Sequence, residues 1–201
     1  MITVVDYGSG NLRSVYNALR YIGEDVKICE NPGEIDSAEK IVLPGVGSSK
    51  DAMEGLASRG YLEKLVRNIE KGKPFLGICL GLQLLFDSSE ESRGTSCLGL
   101  VPGAVRLFPR KEGLKVPQIG WNTVELSKNN CPLFEGIPSG EYFYFVHSYY
   151  CPYIEEYTAA FTDYGLKYTS ALWKGNTFAV QFHPERSQEN GMKILRNFSK
   201  L

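Results

Sequence analysis

A short apolar run that ends in Gly77-Ile78-Cys79-Leu80-Gly81 constrains the fold of this 201-residue chain more than any other stretch. The run starts at Phe75 and predicts a buried strand, and the residues after Cys79 favour a helix. A strand that turns directly into a helix holds the residue at the bend in a strained backbone conformation and leaves no room for side chains two positions away. The Gly-x-Cys-x-Gly spacing is therefore the cysteine counterpart of a nucleophile elbow.

Such an elbow would make the cysteine reactive. The side chain of Cys79 would stand clear of the sheet at a helix N-terminus, where unpaired backbone N–H groups and the helix dipole stabilise a thiolate. The same N–H groups can hold an oxyanion that forms next to the sulfur. A buried structural cysteine in a glycine-flanked turn is an equally good interpretation of these five residues alone, because free cysteine commonly fills hydrophobic cores. Partners elsewhere in the chain decide between the two.

Length and charge narrow the class of protein. With 43% hydrophobic residues and a net charge of −1, residues 1–201 are predicted to form one globular domain around a sizeable core. The near-neutral charge gives no electrostatic reason to expect binding to nucleic acid or to a membrane surface. No apolar run approaches the roughly 20 residues of a membrane-spanning helix. The first residues, MITVVD, lack a basic segment and predict a strand rather than a signal peptide.

The cysteine pattern indicates a reducing compartment. The chain has five cysteines, an odd number without any Cys-x-x-Cys pair: Cys29, Cys79, Cys97, Cys131 and Cys151. This pattern favours neither a disulfide framework nor a zinc site, so we predict a cytoplasmic location and no bound metal. No cofactor is predicted either. Gly8 and Gly10 follow the first strand, but Arg13 occupies the third glycine position of a dinucleotide-binding motif.

Strands and helices alternate in the first half of the chain. Strands are predicted at residues 2–5, 25–30 and 40–43 and in the run ending at Cys79, and helices at 12–22, 51–59, 61–71 and after Cys79. This alternation predicts a mainly parallel sheet with helices on its faces. From about residue 88, short β-like segments are separated by Gly, Pro and Asn turns. The chain ends with a predicted apolar strand at 177–183 and a helix at 190–200.

The search for a base is short, because the chain has only two histidines, His147 and His183. Apolar residues alternate through 178–182, so His183 is predicted to end a strand and to face one side of the sheet. Pro184 keeps His183 extended, and Glu185 lies two residues on, where its carboxylate can return to the same side. A lone histidine at a strand end is more often structural.

Combined with the elbow, however, His183 and Glu185 complete a set of nucleophile, base and orienting acid. All three would meet at the carboxyl edge of an α/β sheet. The carboxylate would hold the imidazole tautomer and stabilise the imidazolium that forms when His183 accepts the thiol proton. This combination predicts acyl transfer through a thioester.

Six motifs resemble a known family. They are DYGSGNLRSV (6–15), PGVG (44–47), GICLGLQLLF (77–86), GWN (120–122), YFVHSY (144–149) and QFHPE (181–185). Over essentially its full length the chain resembles the class I, or triad-type, glutamine amidotransferases, and among them the glutaminase subunits of imidazole glycerol phosphate synthase. The resemblance implies a doubly wound, mainly parallel α/β sheet with helices on both faces and a smaller antiparallel sheet beside it.

The resemblance also implies a mechanism. Cys79 would attack the side-chain amide of glutamine, with His183 as general base and then acid and Glu185 as its orienter. The oxyanion would be held by the backbone N–H of Leu80 and by one from the turn that contains Val46 and Gly47. Ammonia would leave, and water would hydrolyse the glutamyl thioester to glutamate.

The family's glutamine pocket corresponds to five residues of this chain: Gly47, Gln83, Glu91, Ser148 and Tyr149. Glu91 makes independent chemical sense, because the α-ammonium group of glutamine needs a carboxylate. Without the resemblance, the pair Glu90-Glu91 would be interpreted as solvated loop charge.

A partner is implied as well. In this family the glutaminase forms a heterodimer with a (β/α)8-barrel cyclase, which receives the ammonia and makes imidazole glycerol phosphate and aminoimidazole carboxamide ribotide. Asn11, Trp121, Tyr144 and Arg186 lie in motifs that face that partner. The two aromatic residues among them are also compatible with core filling. His147, near the pocket, is expected to have a structural or supporting role.

The chain departs from the family pattern at three places. Gln118 stands where a histidine is usual, Arg186 replaces a lysine and keeps its charge with a different donor geometry, and Ser48-Ser49 follows PGVG where an aromatic-containing segment is common. None of these touches the predicted triad. They bear on the partner interface and on signalling rather than on hydrolysis.

Other functions remain open at the level of the sequence. A related glutaminase could serve another pathway, such as the anthranilate or the pyridoxal phosphate branch. A non-catalytic binding or regulatory module would be expected to lack a triad member, and all three are present. A cysteine peptidase or thiol chaperone on the same scaffold would act on peptides or electrophiles instead of glutamine.

Overall fold

The computed structural model describes residues 1–8 and 10–201, and of Arg93 the backbone alone. The strands are β1 Ile2–Val5, β2 Val26–Cys29, β3 Lys40–Gly45, β4 Phe75–Cys79, β5 Phe86–Ser89, β6 Thr95–Ser96, β7 Val101–Leu107, β8 Gln118–Leu126, β9 Glu141–His147, β10 Tyr149–Pro152, β11 Thr158–Asp163, β12 Lys167–Lys174 and β13 Thr177–Val180. The α-helices are α1 Leu12–Tyr21, α2 Gly33–Ser37, α3 Ser49–Ser58, α4 Leu62–Glu70, α5 Leu80–Gln83 and α6 Gln188–Ser199. Short 3₁₀ helices cover Glu91–Arg93, Pro132–Phe134 and Pro184–Arg186.

Five strands form a parallel core in the order β2-β1-β3-β4-β13. Their carboxyl ends meet at one edge of the sheet, where ligands bind in open α/β folds. Gly45 at the end of β3 pairs with Cys79 at the end of β4, and Val180 of β13 pairs with Ile78 on the other side. The predicted mainly parallel α/β architecture is thus confirmed, and it places the chain segments of the predicted site side by side.

The antiparallel strands of the second half hydrogen-bond to this core through β12, which pairs antiparallel with β13. From β12 the sheet continues along one path through β10 and β7 to β5 and β6. Along a second path it continues through β11 and β8 to β9. The long hairpin of β8 and β9 lies beside the carboxyl edge, since the N–H of His183 donates to the carbonyl of Tyr144 in β9. β9 leads directly into the segment 148–149 of the predicted pocket.

The helices pack against apolar layers on both faces of the parallel core. Successive residues of a strand point to opposite faces, so Val4 and Val42 belong to one layer and Val5 and Leu43 to the other. The first layer packs against residues of α1 and α6, including Val15, Leu19, Ile194, Leu195 and Phe198. The second packs against residues of α3 and α4, including Ala52, Leu56, Leu65 and Ile69.

Two differences from the expected elements bear on the site. The helix after Cys79 ends at Gln83, and the chain returns to a strand at Phe86, because Phe86 is fully buried and pairs with Val101 of β7. Tertiary pairing here overrides the local helix preference. The last core strand ends at Val180 rather than at His183, although His183 keeps the extended backbone that Pro184 was expected to impose.

The elbow glycines lie against neighbouring backbone. A Cβ atom on Gly77 would lie 2.6 Å from the carbonyl oxygen of Gly81, and one on Gly81 would lie 2.1 Å from that of Leu43. Cys79 itself has φ 55° and ψ −103°, an unfavourable conformation for a residue with a side chain. Close packing of α5 on β3 and β4 therefore sets the bend, as the glycine spacing predicted.

Gly81→Ala should lower the free energy of unfolding by about 3 kcal/mol, because the added methyl group overlaps backbone that cannot move aside. Denaturant unfolding monitored by circular dichroism measures the change. Gly33→Ala is the matched control, since its Cβ would approach only the side-chain oxygen of Asn31, at 3.3 Å, at the start of a helix. We expect that control to change stability by less than about 0.5 kcal/mol. Equal destabilisation by both variants would contradict the steric explanation.

Candidate active site

The bend between β4 and α5 presents Cys79 at the carboxyl edge of the sheet. Its side chain is nearly buried, with the residue 6% exposed, yet it lines a cavity of about 320 Å³. The backbone of Leu80 opens α5 directly after it. The neighbouring strand β3 ends at Gly45, so the turn with Val46 and Gly47 borders the same cavity.

His183 and Glu185 form a buried hydrogen-bonded pair. Nδ1 of His183 lies 2.7 Å from Oε1 of Glu185, and the two side chains are 2% and 1% exposed. Because a carboxylate oxygen can only accept, Nδ1 of His183 carries a proton, and Nε2 is the ring nitrogen left to exchange one. The backbone of His183 is held as well, since its N–H donates to the carbonyl of Tyr144 and its carbonyl accepts from Oγ of Ser187.

Cys79 and His183 interact electrostatically. Burial lowers the pKa of His183, but the sulfur of Cys79 and then the carboxylate of Glu185 outweigh that effect and raise the pKa to about 10. Among the described residues, no atom lies in hydrogen-bonding geometry to Nε2 of His183. Nε2 is therefore the ring nitrogen left to accept the thiol proton. The environment therefore favours the imidazolium that proton transfer from the thiol produces.

Gln181 belongs to one of the six motifs but was not predicted as a site residue. Its Nε2 donates to Sγ of Cys79 at 3.6 Å, and its Oε1 accepts from Nε2 of Gln83 at 3.0 Å. Gln83 donates its second amide hydrogen to the carbonyl of Tyr149, also at 3.0 Å. A signal was available, because strand alternation places Gln181 on the same side as His183.

The cavity beside Cys79 brings together the residues predicted for the oxyanion and for glutamine. Its lining comprises Val46, Gly47, Cys79, Leu80, Gln83, Glu91, Pro117, Val146, His147, Ser148 and Tyr149. Pro117, Val146 and His147 are additions that the motifs did not assign to the pocket. The roles of the predicted residues stay predictions, but their positions around one cavity next to the thiol suit an amide substrate.

Glu91 lies at the cavity as the first residue of a 3₁₀ helix. Its Oε2 accepts two hydrogen bonds from Ser49, one from the backbone N–H at 2.6 Å and one from Oγ at 3.0 Å. Glu91 is therefore not a freely solvated loop charge. Ser49 was not predicted to contact it.

His147 is a buried residue of the cavity lining and is not part of the predicted triad. Its Nδ1 donates to the carbonyl of Tyr149 at 2.7 Å, and its Nε2 lies 3.3 Å from the hydroxyl of Tyr168, which contacts Oε1 of Gln118 at 2.9 Å. Burial lowers the pKa of His147 to about 4. The ring is thus neutral near pH 7 and supports the backbone that lines the pocket.

The four residues predicted to face a partner differ in exposure. Trp121 is 46% exposed and meets half-buried Tyr144 edge to face, with ring centroids 6.1 Å apart. Arg186 is exposed. Asn11 is only 5% exposed, and its Nδ2 donates to Oε1 of Glu185 at 2.6 Å. Asn11 therefore contacts Glu185 of the predicted triad, and its contact with a partner stays a prediction.

Metal ligation and membrane insertion have no visible basis in the described part of the chain. Among residues 1–8 and 10–201, no group of three or more His, Cys, Asp and Glu residues is arranged to hold a metal ion. Within the same residues, no helix is long and apolar enough to cross a membrane.

Comparisons with known proteins show the family of the chain. The family model "Glutamine amidotransferase class-I" matches residues 3–201. Proteins named imidazole glycerol phosphate synthase subunit HisH are 45% identical in Syntrophotalea carbinolica and 49% identical in Methanosarcina mazei, covering 100% of this chain and 100% and 98% of theirs.

Solved structures support the fold. A crystal structure of a glutamine amidotransferase superposes with a TM-score of 0.76 at 18% identity, covering 100% of this chain and 98% of its own. PurLQS from Thermotoga maritima superposes with a TM-score of 0.75 at 23% identity, covering 99% and 97%.

The buried state of His147 predicts a pH dependence of stability. Its pKa falls from the ordinary 6.5 to about 4 on folding, so between these values the unfolded chain binds a proton that the folded protein does not. The stabilisation is present above pH 6.5 and is lost as the pH falls towards 4. At 1.36 kcal/mol per pH unit, the loss is about 3 kcal/mol.

His147→Gln removes this titration, so its free energy of unfolding should fall by about 3 kcal/mol less than that of the wild type between pH 7 and 4. Urea unfolding at a series of pH values measures the difference. If the difference in free energy of unfolding between the wild type and His147→Gln stays constant over this pH range, His147 titrates normally in the folded state.

Proposed function

The chain belongs to the class I glutamine amidotransferase family, and from that premise we propose that Cys79 is its nucleophile, His183 its base and acid, and Glu185 the orienter of His183. The chain is an enzyme that hydrolyses glutamine to glutamate and ammonia, as the glutaminase subunit of imidazole glycerol phosphate synthase in histidine biosynthesis. The observation that carries the residue assignment is the buried pair of His183 and Glu185 beside the Cys79 thiol.

The first half of the reaction transfers the glutamyl group to sulfur. Cys79 gives its proton to Nε2 of His183, and the thiolate attacks the side-chain amide carbon of glutamine. The oxyanion is held by the N–H of Leu80 and by one from the turn of Val46 and Gly47, and each such donor is worth roughly 10²–10³ in rate. His183 then protonates the leaving nitrogen, so that ammonia departs and a thioester remains.

The second half regenerates the thiol. His183, now neutral, takes a proton from water, and the hydroxide attacks the thioester carbonyl. The tetrahedral intermediate uses the same N–H donors, and its collapse releases glutamate and returns the proton to sulfur. Glu185 accepts from Nδ1 throughout and stabilises the imidazolium that forms in each half.

Glutamine recognition is proposed for the polar part of the cavity. The residues are Gly47, Gln83, Glu91, Ser148 and Tyr149, all of which line the cavity beside the thiol. Glu91 offers a carboxylate to the α-ammonium group. Both amide hydrogens of Gln83 are used within the protein, which leaves its Oε1 as the atom for a substrate donor.

The partner is another subunit of the synthase, and we propose a (β/α)8-barrel cyclase in a heterodimer. The exposed face of β8 and β9 supports this. Cross-strand register places Ile119, Trp121, Tyr142, Tyr144 and Val146 on that one face. Three of them are strongly exposed, at 63% for Ile119, 46% for Trp121 and 57% for Tyr142. Such aromatic patches are typical of binding surfaces.

The same face continues into the active site, because Val146 also lines the cavity beside Cys79. A cyclase bound there would receive ammonia next to where it forms, and would use it to make imidazole glycerol phosphate and aminoimidazole carboxamide ribotide. Arg186, exposed at the end of the 3₁₀ helix that carries Glu185, is proposed to contact the same partner.

The remaining proposals concern organisation and location. We propose that residues 1–201 act as one glutaminase domain, since strands from β1 to β13 share the parallel core. The five cysteines are free thiols, which supports a reducing, cytoplasmic setting.

Replacement of the nucleophile gives the direct test. In the assembled synthase, Cys79→Ala should lower glutamate formation by at least about 10⁴-fold while leaving folding and partner binding intact, because the thioester can no longer form. Cys97→Ala is the control for loss of a thiol away from the cavity. Enzymatic measurement of glutamate decides the outcome, and glutamate formation near the wild-type rate in Cys79→Ala would exclude this nucleophile.

The proposed partner face has its own test. Trp121→Ala should weaken binding of the cyclase at least about tenfold, since an aromatic anchor at an interface contributes about 2 kcal/mol. Titration calorimetry gives the dissociation constant, and the glutaminase rate at each cyclase concentration gives the activation. Tyr21→Ala is the matched control, because Tyr21 is 79% exposed at the end of α1 that leads to β2, away from the carboxyl edge. Similar weakening by both variants would reject the face.

A further inference from the structure

Two adjacent serines at the start of α3 have different hydrogen-bond partners. Ser48 caps the helix: its Oγ accepts from the N–H of Asp51 at 3.1 Å and donates to the Asp51 carboxylate at 2.7 Å. Ser49 makes neither contact. It is fully buried, and both its N–H and its Oγ–H donate to Oε2 of Glu91, 42 residues further along the chain. Capping of α3 is therefore separable from the contact with Glu91.

The loop that carries Glu91 offers little other support for its carboxylate. The backbone of Glu91 is tied to the side chains of Ser89 and Thr95, and the next residue, Ser92, has the unusual φ of 56°. These contacts hold the main chain but not the side-chain direction. Among the described residues, only Ser49 hydrogen-bonds the carboxylate, and it uses Oε2 alone.

Occupation of Oε2 determines what Oε1 can do. Two donors on one oxygen fix the plane of the carboxylate, and Oε1 then remains for a ligand in the cavity that Glu91 lines. A carboxylate held in place before binding loses less side-chain freedom when an ammonium group arrives. This gain in binding affinity applies only to a substrate that places a positively charged group next to Glu91.

We propose that Ser49 is a specificity-determining positioning residue, which aims Glu91 at the α-ammonium group and so makes the enzyme prefer glutamine to amides that lack this group. The inference rests on the proposed role of Glu91 in glutamine binding. Ser49 does not touch the reacting atoms, so its removal acts on substrate capture rather than on the chemical steps.

The test compares two amides with the assembled synthase. Ammonia release is measured for glutamine and for glutaramate, which is glutamine without its α-amino group. Ser49→Ala should raise KM for glutamine about tenfold with kcat changed less than about twofold, since a hydrogen bond to a charged acceptor is lost. The kcat/KM for glutaramate should stay within about twofold, so the preference for glutamine falls about tenfold.

Ser48→Ala is the matched control, and it should leave the preference unchanged although it removes a helix cap. Ser49→Cys keeps the volume with a weaker donor and should show a smaller loss in the same direction, which covers the case in which Ser49→Ala does not fold. In a Glu91→Gln background, Ser49→Ala should have no further effect on the preference.

The outcomes distinguish a failure of the role of Ser49 from a failure of the proposed role of Glu91 in glutamine binding. If Glu91→Gln does not lower the preference for glutamine, or the wild-type synthase does not hydrolyse glutamine, the proposed substrate role of Glu91 is wrong and the inference falls with it. If Glu91→Gln lowers the preference but Ser49→Ala behaves like Ser48→Ala, only the role of Ser49 is overturned.

Discussion

The hydrogen bond between His183 and Glu185 is the interaction on which the rest of the site depends. At 2.7 Å, with both side chains almost free of solvent contact, it acts in a low-dielectric environment where such bonds are strong. It determines which imidazole nitrogen carries the proton and therefore which one meets Cys79. The elbow alone does not make a nucleophile, since a cysteine thiol without an adjacent base is mostly protonated at neutral pH.

The parallel sheet brings these groups together through strand order. Cys79 ends β4, and β13 beside it leads into the segment that carries Gln181 and His183. The backbone of Tyr144 in β9 bonds twice to this region, through its carbonyl to the N–H of His183 and through its N–H to Oγ of Ser187. The proposed partner face is thus one backbone hydrogen bond away from His183, the proposed base.

The local features of the site and the meeting of Cys79 with His183 at one sheet edge could be predicted from the sequence, whereas its finer side-chain contacts could not. The glycine spacing specifies the elbow because the steric requirement is local, and His-Pro-Glu specifies the pair because both side chains come from one short segment. The contact of Ser49 with Glu91 and that of Gln181 with Cys79 join residues 42 and 102 positions apart. Such contacts depend on how α3 and β13 pack, which no short motif contains, and the same reason explains why the strand at Phe86 was missed.

Asn11 connects the segment proposed to face the partner with the proposed triad. Its side chain donates to Oε1 of Glu185 at 2.6 Å, the same oxygen that accepts from His183. A second donor stabilises negative charge on that oxygen and keeps the carboxylate turned towards the imidazole. Glu185 therefore remains an acceptor that orients His183. Displacement of Asn11 would remove one of the two hydrogen bonds that side chains in the described part of the protein make to this carboxylate, and would change the environment of His183 without a direct contact to it.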